Sequence, residues 1–150
     1  MNTFGHNIRL TTFGESHGCA VGGVLDGFPS GVHIDFDAID DALAFRRGQG
    51  MPGVSARATA ERDEVEWLSG LLDGVTLGTP IAFIVRNSAQ QSADYEALRD
   101  VFRPGHADEA YYRKYGIRDW RGGGRASARA TLPCVVAGAM EFSLLLIRKH

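Results

Sequence analysis

Cysteine is scarce in this 150-residue chain: Cys19 and Cys134 are the only two, far apart and outside any C-x-x-C spacing. That argues against a disulfide framework or a zinc ribbon, and two small buried thiols are the expectation. The five histidines are scattered, with no H-E-x-x-H pair, so no metal site is expected. A surplus of one charge is also lacking. With 16 basic against 18 acidic residues the formal net charge is -2, which gives no overall attraction to nucleic acid or to an anionic membrane. The amino terminus, MNTFGHNIRL, has no basic-then-apolar secretory pattern, and no apolar run reaches the length of about 20 residues that a bilayer-spanning helix needs. A cytoplasmic location is the expectation. Neither an internal repeat nor a low-complexity linker is visible, and 44% hydrophobic with 23% charged residues reads as a single soluble domain able to build a core.

Glycine, in contrast, is abundant: 19 residues, gathered at 14 to 31, 48 to 53, 70 to 78 and 122 to 124. Such clusters mark sharp turns or places where backbone approaches a ligand, although a loop-rich β protein would show them too. Alternation over Ile8 to Phe13 predicts a short strand, and CAVGGVLDGFPSG a second strand and a turn. Helical spacing predicts a helix from about Asp37 to Arg47, capped by Asp35 or Asp37. Gly48 to Ala60 reads as an exposed loop. Val65 and Trp67 alternate as in a strand, and Pro80 to Val85 is an apolar strand after the turn TLGTP. Asp94 to Val101 predicts a helical turn, Ala107 to Tyr115 a helix, and the triple glycine opens an alanine-rich segment in which Pro133 sits inside a helix or marks its start. The class is α+β, antiparallel strands packed with helices.

Three strings carry chemistry. GESHG, residues 14 to 18, fits G-x-S-x-G, which in many hydrolases exposes a nucleophilic serine between a strand and a helix. Here Gly22, Gly23 and their β-branched neighbours argue against the helix, so a hydrolase built on Ser16 with His106 and an aspartate such as Asp100 is the minor reading. FRPGHAD, residues 102 to 108, groups Arg103, His106 and Asp108 around a Pro-Gly turn: a guanidinium can grip phosphate or carboxylate, and an imidazole can move a proton near neutrality. Taken alone it also fits a solvated helix start. YGIRDWRGGGRASARAT, residues 115 to 131, sets arginines around a glycine turn ahead of a helix, a pattern that suits a phosphate-bearing small molecule. An RGG-type RNA-binding tail would be repetitive and would not lead into apolar sequence.

Together, in this order and spacing, these strings resemble chorismate synthase. The likeness runs through NTFGHNIRLTTFGESHG, ERDEVEWLSGLLDGVTLGTPIAFIVRN, SADYEALRDVFRPGHAD and KYGIRDWRGGGRASAR. It implies the amino-terminal part of a β-α-β sandwich fold that assembles as a homotetramer. It also implies a 1,4-anti elimination of phosphate from 5-enolpyruvylshikimate 3-phosphate to give chorismate, on the shikimate pathway. The reaction requires reduced FMN, and the family is associated with NADP. By resemblance, His17 rather than Ser16 is the functional residue of GESHG, acting as general acid toward the leaving phosphate. His106 sits by the reduced flavin. Ser16, Arg46, Arg47, Arg103 and Arg129 correspond to substrate-binding positions, and Arg125, Ala126 and Ser127 to cofactor-binding ones. Several arginines in one pocket suit an anionic substrate beside an anionic cofactor.

The chain departs from the family pattern in places. Gly48-Gln49-Gly50 replaces the Pro-Gly-Gln turn after the arginine pair, which weakens the assignments of Arg46, Arg47 and Arg57. Ala130 stands where glutamate is usual, and Leu132-Pro133-Cys134 interrupts a helix. Family members are more than twice as long, and MEFSLLLIRKH is unlike their continuation. Alone, these residues are expected to have little or no activity, acting at most as a non-catalytic module that binds flavin or phosphate weakly.

Overall fold

The computed structural model of the protein describes residues 2–48, 63–88 and 92–147. The chain forms an antiparallel sheet with two helices on one face. In order it runs β1 (Thr3–Phe4), β2 (Arg9–Phe13), β3 (Ala20–Asp26), α1 (Phe36–Arg46), β4 (Val65–Trp67), β5 (Leu71–Leu72), β6 (Val75–Thr76), β7 (Ile81–Arg86), a 3-10 segment (Ser92–Leu98), α2 (Asp108–Tyr115), two short 3-10 turns and α3 (Leu132–Ile147). The main sheet has the order β1-β2-β3-β7-β4, and β5 and β6 form a separate hairpin.

Alternation explains which face is covered. In β2, Leu10 and Thr12 are buried while Arg9, Thr11 and Phe13 are exposed; in β7, Ile81, Phe83 and Val85 turn inward. Those inward residues meet Ile39 and Leu43 of α1 and Leu132, Val136 and Met140 of α3. Pairing of β3 to β7 places Gly23 opposite Phe83. A Cβ at Gly23 would lie 2.9 Å from Leu10 Cδ1, 2.9 Å from the Phe83 ring and 3.3 Å from Pro133 Cβ. The missing side chain therefore lets the first turn of α3 rest on the sheet. Pro133, at the start of that helix, has no N–H that the helix would need.

Asp35 is the cap of α1, its Oδ1 accepting from the Ala38 N–H at 3.0 Å. The strands at Arg9–Phe13, Ala20–Asp26, Val65–Trp67 and Ile81–Arg86 and the helix Asp108–Tyr115 lie where alternation and spacing put them. Most of the loop from Gly48 to Ala60, with Arg57, lies outside the described residues. Two expectations are corrected. Cys19 and Cys134 are free and exposed, not buried thiols, because neither side chain points into the core. Ala128–Leu145 is long and apolar enough to cross a membrane by length and composition. Of that stretch 39% is buried, and Leu132, Val136 and Met140 are fully so, as one face of the helix packs on the sheet.

Candidate active site

Between β2 and β3 the chain reverses through GESHG. The Gly18 N–H donates to the Glu15 carbonyl at 3.0 Å, closing a tight turn with Ser16 and His17 at its corner. Asn87, just past β7, grips this turn from below. Its side-chain amide donates to both the Glu15 and Gly18 carbonyls, at 3.0 and 2.8 Å, and its backbone N–H donates to the Cys19 carbonyl at 3.1 Å. The connection is strand to strand, so the strand-to-helix geometry of a serine nucleophile elbow is absent. Ser16 is also 1% exposed, and its hydroxyl lies 3.1 Å from His17 Nδ1. The hydrolase reading is thereby overturned.

His17 is enclosed by Ser16 of its own string, by Tyr95 and by Gly122 of the glycine turn. The ring of Tyr95, from the 3-10 segment, meets its imidazole edge-on at a centroid distance of 5.0 Å. On another side lies the backbone of Gly122, with φ of +62°; a Cβ there would sit 2.2 Å from His17 Nδ1. Only glycine fits, both for the left-handed backbone and for the room it leaves the ring. The Ser16 N–H donates to the Gly124 carbonyl at 3.2 Å, tying GESHG to the glycine turn directly.

Arg103 joins FRPGHAD to the same assembly. Its guanidinium stacks over Tyr95 at 5.5 Å, donates to the Gly122 carbonyl at 2.7 Å, and forks onto Asp108 with two bonds of 2.8 Å. These side-chain bonds from Arg103, against the opposing effect of burial, hold the Asp108 carboxyl down at a pKa of about 2, with help from the Arg118 charge. Asp108 in turn holds the Arg103 guanidinium above its ordinary pKa. His106 lies exposed on the same turn, its backbone N–H donating to the Arg103 carbonyl at 3.3 Å and its Nδ1–H to the Pro104 carbonyl at 3.0 Å. His106 thus shares the turn of Arg103, whose bond to the Gly122 carbonyl brings that turn beside the glycine backbone that packs on His17.

The remaining arginines form a second cluster under GESHG. Asp63, 1% exposed, accepts from Arg129 Nη1 at 2.9 Å, with Arg46 and Arg47 at 3.6 and 3.9 Å from its other oxygen. Arg46 also donates to the Ala128 carbonyl at 2.9 Å. Arg129, buried, donates through Nε to Asn87 Oδ1 and through Nη2 to the Arg86 carbonyl at 3.1 Å. Ser127 accepts the Arg129 N–H at 3.3 Å as the cap of its 3-10 turn. Arg125 donates to the Gly14 carbonyl and to Thr12 Oγ1, at 3.0 and 2.6 Å.

Arg125 and the exposed Ala126 also line a cavity of about 1150 Å³ beside α2, with Tyr111 and Trp120 among its rings. Neither histidine of the predicted pair, nor Arg103, Arg129 or Ser127, lines it. Its four arginines, Arg99, Arg118, Arg121 and Arg125, are matched by four carboxylates from Glu15, Asp100, Asp108 and Asp119. Asp119 shows the balance locally: burial pushes its carboxyl up, but the Arg121 hydrogen bonds and charge, with His17 nearby, bring it below its ordinary value. This wall suits an aromatic ring system but brings no surplus positive charge for a phosphate.

Sequence reasoning singled out His17, Arg103 and the glycine turn, which the fold brings together, but not Tyr95, Asn87 and Asp63. None of these lies in a short pattern; each becomes visible only when distant segments meet.

The family model for chorismate synthase matches residues 8–148. Curated chorismate synthases from Campylobacter fetus and Campylobacter curvus are 54% identical over 145 residues and 56% identical over 147, each alignment covering 97% of this chain and 40% of the relative. A crystal structure of chorismate synthase superposes with a TM-score of 0.64 at 32% identity, covering 94% of this chain and 35% of that one. The chain thus spans about 40% of the length of the curated relatives it matches. It belongs to the chorismate synthase family.

Proposed function

We propose that this chain supplies the amino-terminal part of a site that eliminates phosphate from 5-enolpyruvylshikimate 3-phosphate to give chorismate, with reduced FMN bound alongside. The observation that carries the reading is the enclosure of His17: Ser16, Tyr95 and Gly122, from three separate segments, meet at one imidazole, and Arg103 is bound to the Gly122 carbonyl and stacked on Tyr95. In this reading His17 gives its proton to the departing phosphate. Its contact with the Ser16 hydroxyl at Nδ1 helps to fix the ring for that transfer. His106, exposed and with Nδ1 bound to the Pro104 carbonyl, would serve the flavin from beside Ala107 of the cavity lining.

The arginine roles are divided by what each already holds. Arg103 and Arg129 are engaged with Asp108 and Asp63, so they contribute a fixed field more than a free grip. Arg46 and Arg47 stand on the same buried carboxylate as Arg129, and their planar guanidiniums are of the kind that suits substrate phosphate or carboxylate. Reduced FMN, when bound, lends electron density transiently to the substrate. Arg125 and Ala126 would hold it at the cavity, with the aromatic wall against its rings, and Ser127, next in the chain, would act from outside that lining. Because that wall is balanced in charge, residues 1–150 alone are expected to bind FMN weakly and turn over little substrate.

The test joins residues 1–147 to the carboxy-terminal remainder of the Campylobacter fetus relative and measures anaerobic phosphate release with reduced FMN. The joined protein should release phosphate, and His17→Ala and His106→Ala should each lower the rate by about 10²- to 10⁴-fold, the usual contribution of a positioned proton donor. Release unaffected by both substitutions, or absent from the joined protein while the relative itself is active, would contradict the reading.

A further inference from the structure

We infer that Asn87, backed by Arg129 and Asp63, is a positioning residue for His17. The inference rests on the reading of His17 just given. The amide of Asn87 is placed so that each of its atoms has one use. Its two N–H groups reach the Glu15 and Gly18 carbonyls at 3.0 and 2.8 Å, the first and last residues of the turn that carries Ser16 and His17. Its oxygen accepts from Arg129 Nε. Rotating the amide by half a turn would set its oxygen against two carbonyls and its N–H groups against a guanidinium, so the orientation is dictated chemically.

Arg129 is itself held from behind. Its Nη1 donates to Asp63 at 2.9 Å and its Nη2 to the Arg86 carbonyl at 3.1 Å, while Asp63 is 1% exposed and faces Arg46 and Arg47 with its second oxygen. A continuous path of hydrogen bonds therefore runs from the buried carboxylate, through Arg129 and Asn87, to both ends of a four-residue turn. Arg129 acts on this path through Asn87. It need not touch an anion to matter. Asn87 binds both ends of the turn, and His17 projects from its corner into the space left by Tyr95 and Gly122. A turn free to open would carry the imidazole out of that space.

The experiment uses the isotopically labelled chain and three substitutions. Asn87→Asp keeps an oxygen for Arg129 but sets a second oxygen against the two carbonyls; Asn87→Ala removes the clamp; Asp63→Asn weakens its support at a distance. Two signals are read by NMR: amide hydrogen exchange at Gly18, and the His17 ring resonances, which the Tyr95 ring displaces. In folded Asn87→Asp and Asn87→Ala, exchange at Gly18 should speed up by about 10- to 100-fold, as expected when a partly buried hydrogen-bonded turn is released. The His17 resonances should move toward those of a solvent-exposed imidazole. Asp63→Asn should move both signals in the same direction by a smaller amount. Unchanged His17 and Gly18 signals in folded Asn87→Asp would overturn the inference. So would a global loss of fold in both Asn87 variants, which would make Asn87 a pillar of the sheet and not a device for the turn. Neither signal depends on turnover, so failure of the phosphate-release test would leave this result standing as a statement about the turn.

Discussion

Replacing Asp108 by asparagine removes the charge that holds Arg103 while keeping the size of the side chain. The wild-type carboxyl lies near a pKa of about 2 against 3.8 unperturbed, chiefly because of the side-chain hydrogen bonds from Arg103. At roughly 1.36 kcal/mol per pH unit, that depression contributes about 2 kcal/mol to stability at neutral pH. Since the folded value lies below the unfolded one, the contribution is fully present above pH 4 to 5 and is lost as the pH falls toward 2. Asparagine has nothing to lose over that range. The substitution also leaves the guanidiniums of Arg103 and Arg118, both nearly buried, without their anion, and this could raise the cost toward about 3 to 5 kcal/mol. Urea unfolding followed by circular dichroism should show Asp108→Asn less stable by at least about 2 kcal/mol at pH 7, with a melting point lower by about 4 to 8 °C. The gap should narrow steadily below pH 4. A gap under about 0.5 kcal/mol at pH 7, or one that is the same at pH 3 and pH 7, would refute the reasoning.

Other consequences are checked more briefly. Gly122→Ala puts a Cβ 2.2 Å from His17 Nδ1 in a left-handed backbone; in the joined protein it should cut phosphate release more than tenfold, with the His17 ring signals displaced at an unchanged fold. Ser16→Ala removes one hydrogen bond to the imidazole and should lower release by at most about tenfold, whereas a serine nucleophile would lose nearly everything. Gly23→Val crowds Leu10, Phe83 and Pro133 and should destabilise by about 1 to 3 kcal/mol in denaturant titration. Glu66→Gln breaks an exposed pair with Arg86 and should leave the melting point unchanged at moderate salt.

Much of the frame was legible in the sequence because it is written in local rules. Leu10 and Thr12 alternate with exposed neighbours, Ile39 and Leu43 share one face of a helix, and Asp35 caps it. Pro133 left two possibilities open, and it marks the beginning of α3 because a proline at a helix start loses nothing. The hairpin of β5 and β6 escaped notice: each strand has two residues, too few for a period, and its turn rests on Asp73 with φ of 49° followed by Gly74. The apolar length of Ala128–Leu145 was missed for another reason. Its arginine, serine and glycine break the run by eye while leaving it apolar on average.

The site divides along the same line. His17 and Arg103 belong to compact strings and could be named in advance. Asn87 and Asp63 are single polar residues whose importance comes from partners 42 and 66 positions away, and no periodicity reports such a meeting. The same distance effect changed how two arginines are understood. Composition suggested free cations for phosphate, yet Arg103 and Arg129 are already engaged with buried carboxylates, which only the folded chain reveals.

The meeting of three distant segments at His17 is tested most directly by measuring nuclear Overhauser contacts from its ring protons in the labelled chain. Strong contacts to the Gly122 α-protons and to the Tyr95 ring are the expected result. Their absence, together with an imidazole in free contact with solvent, would contradict the account.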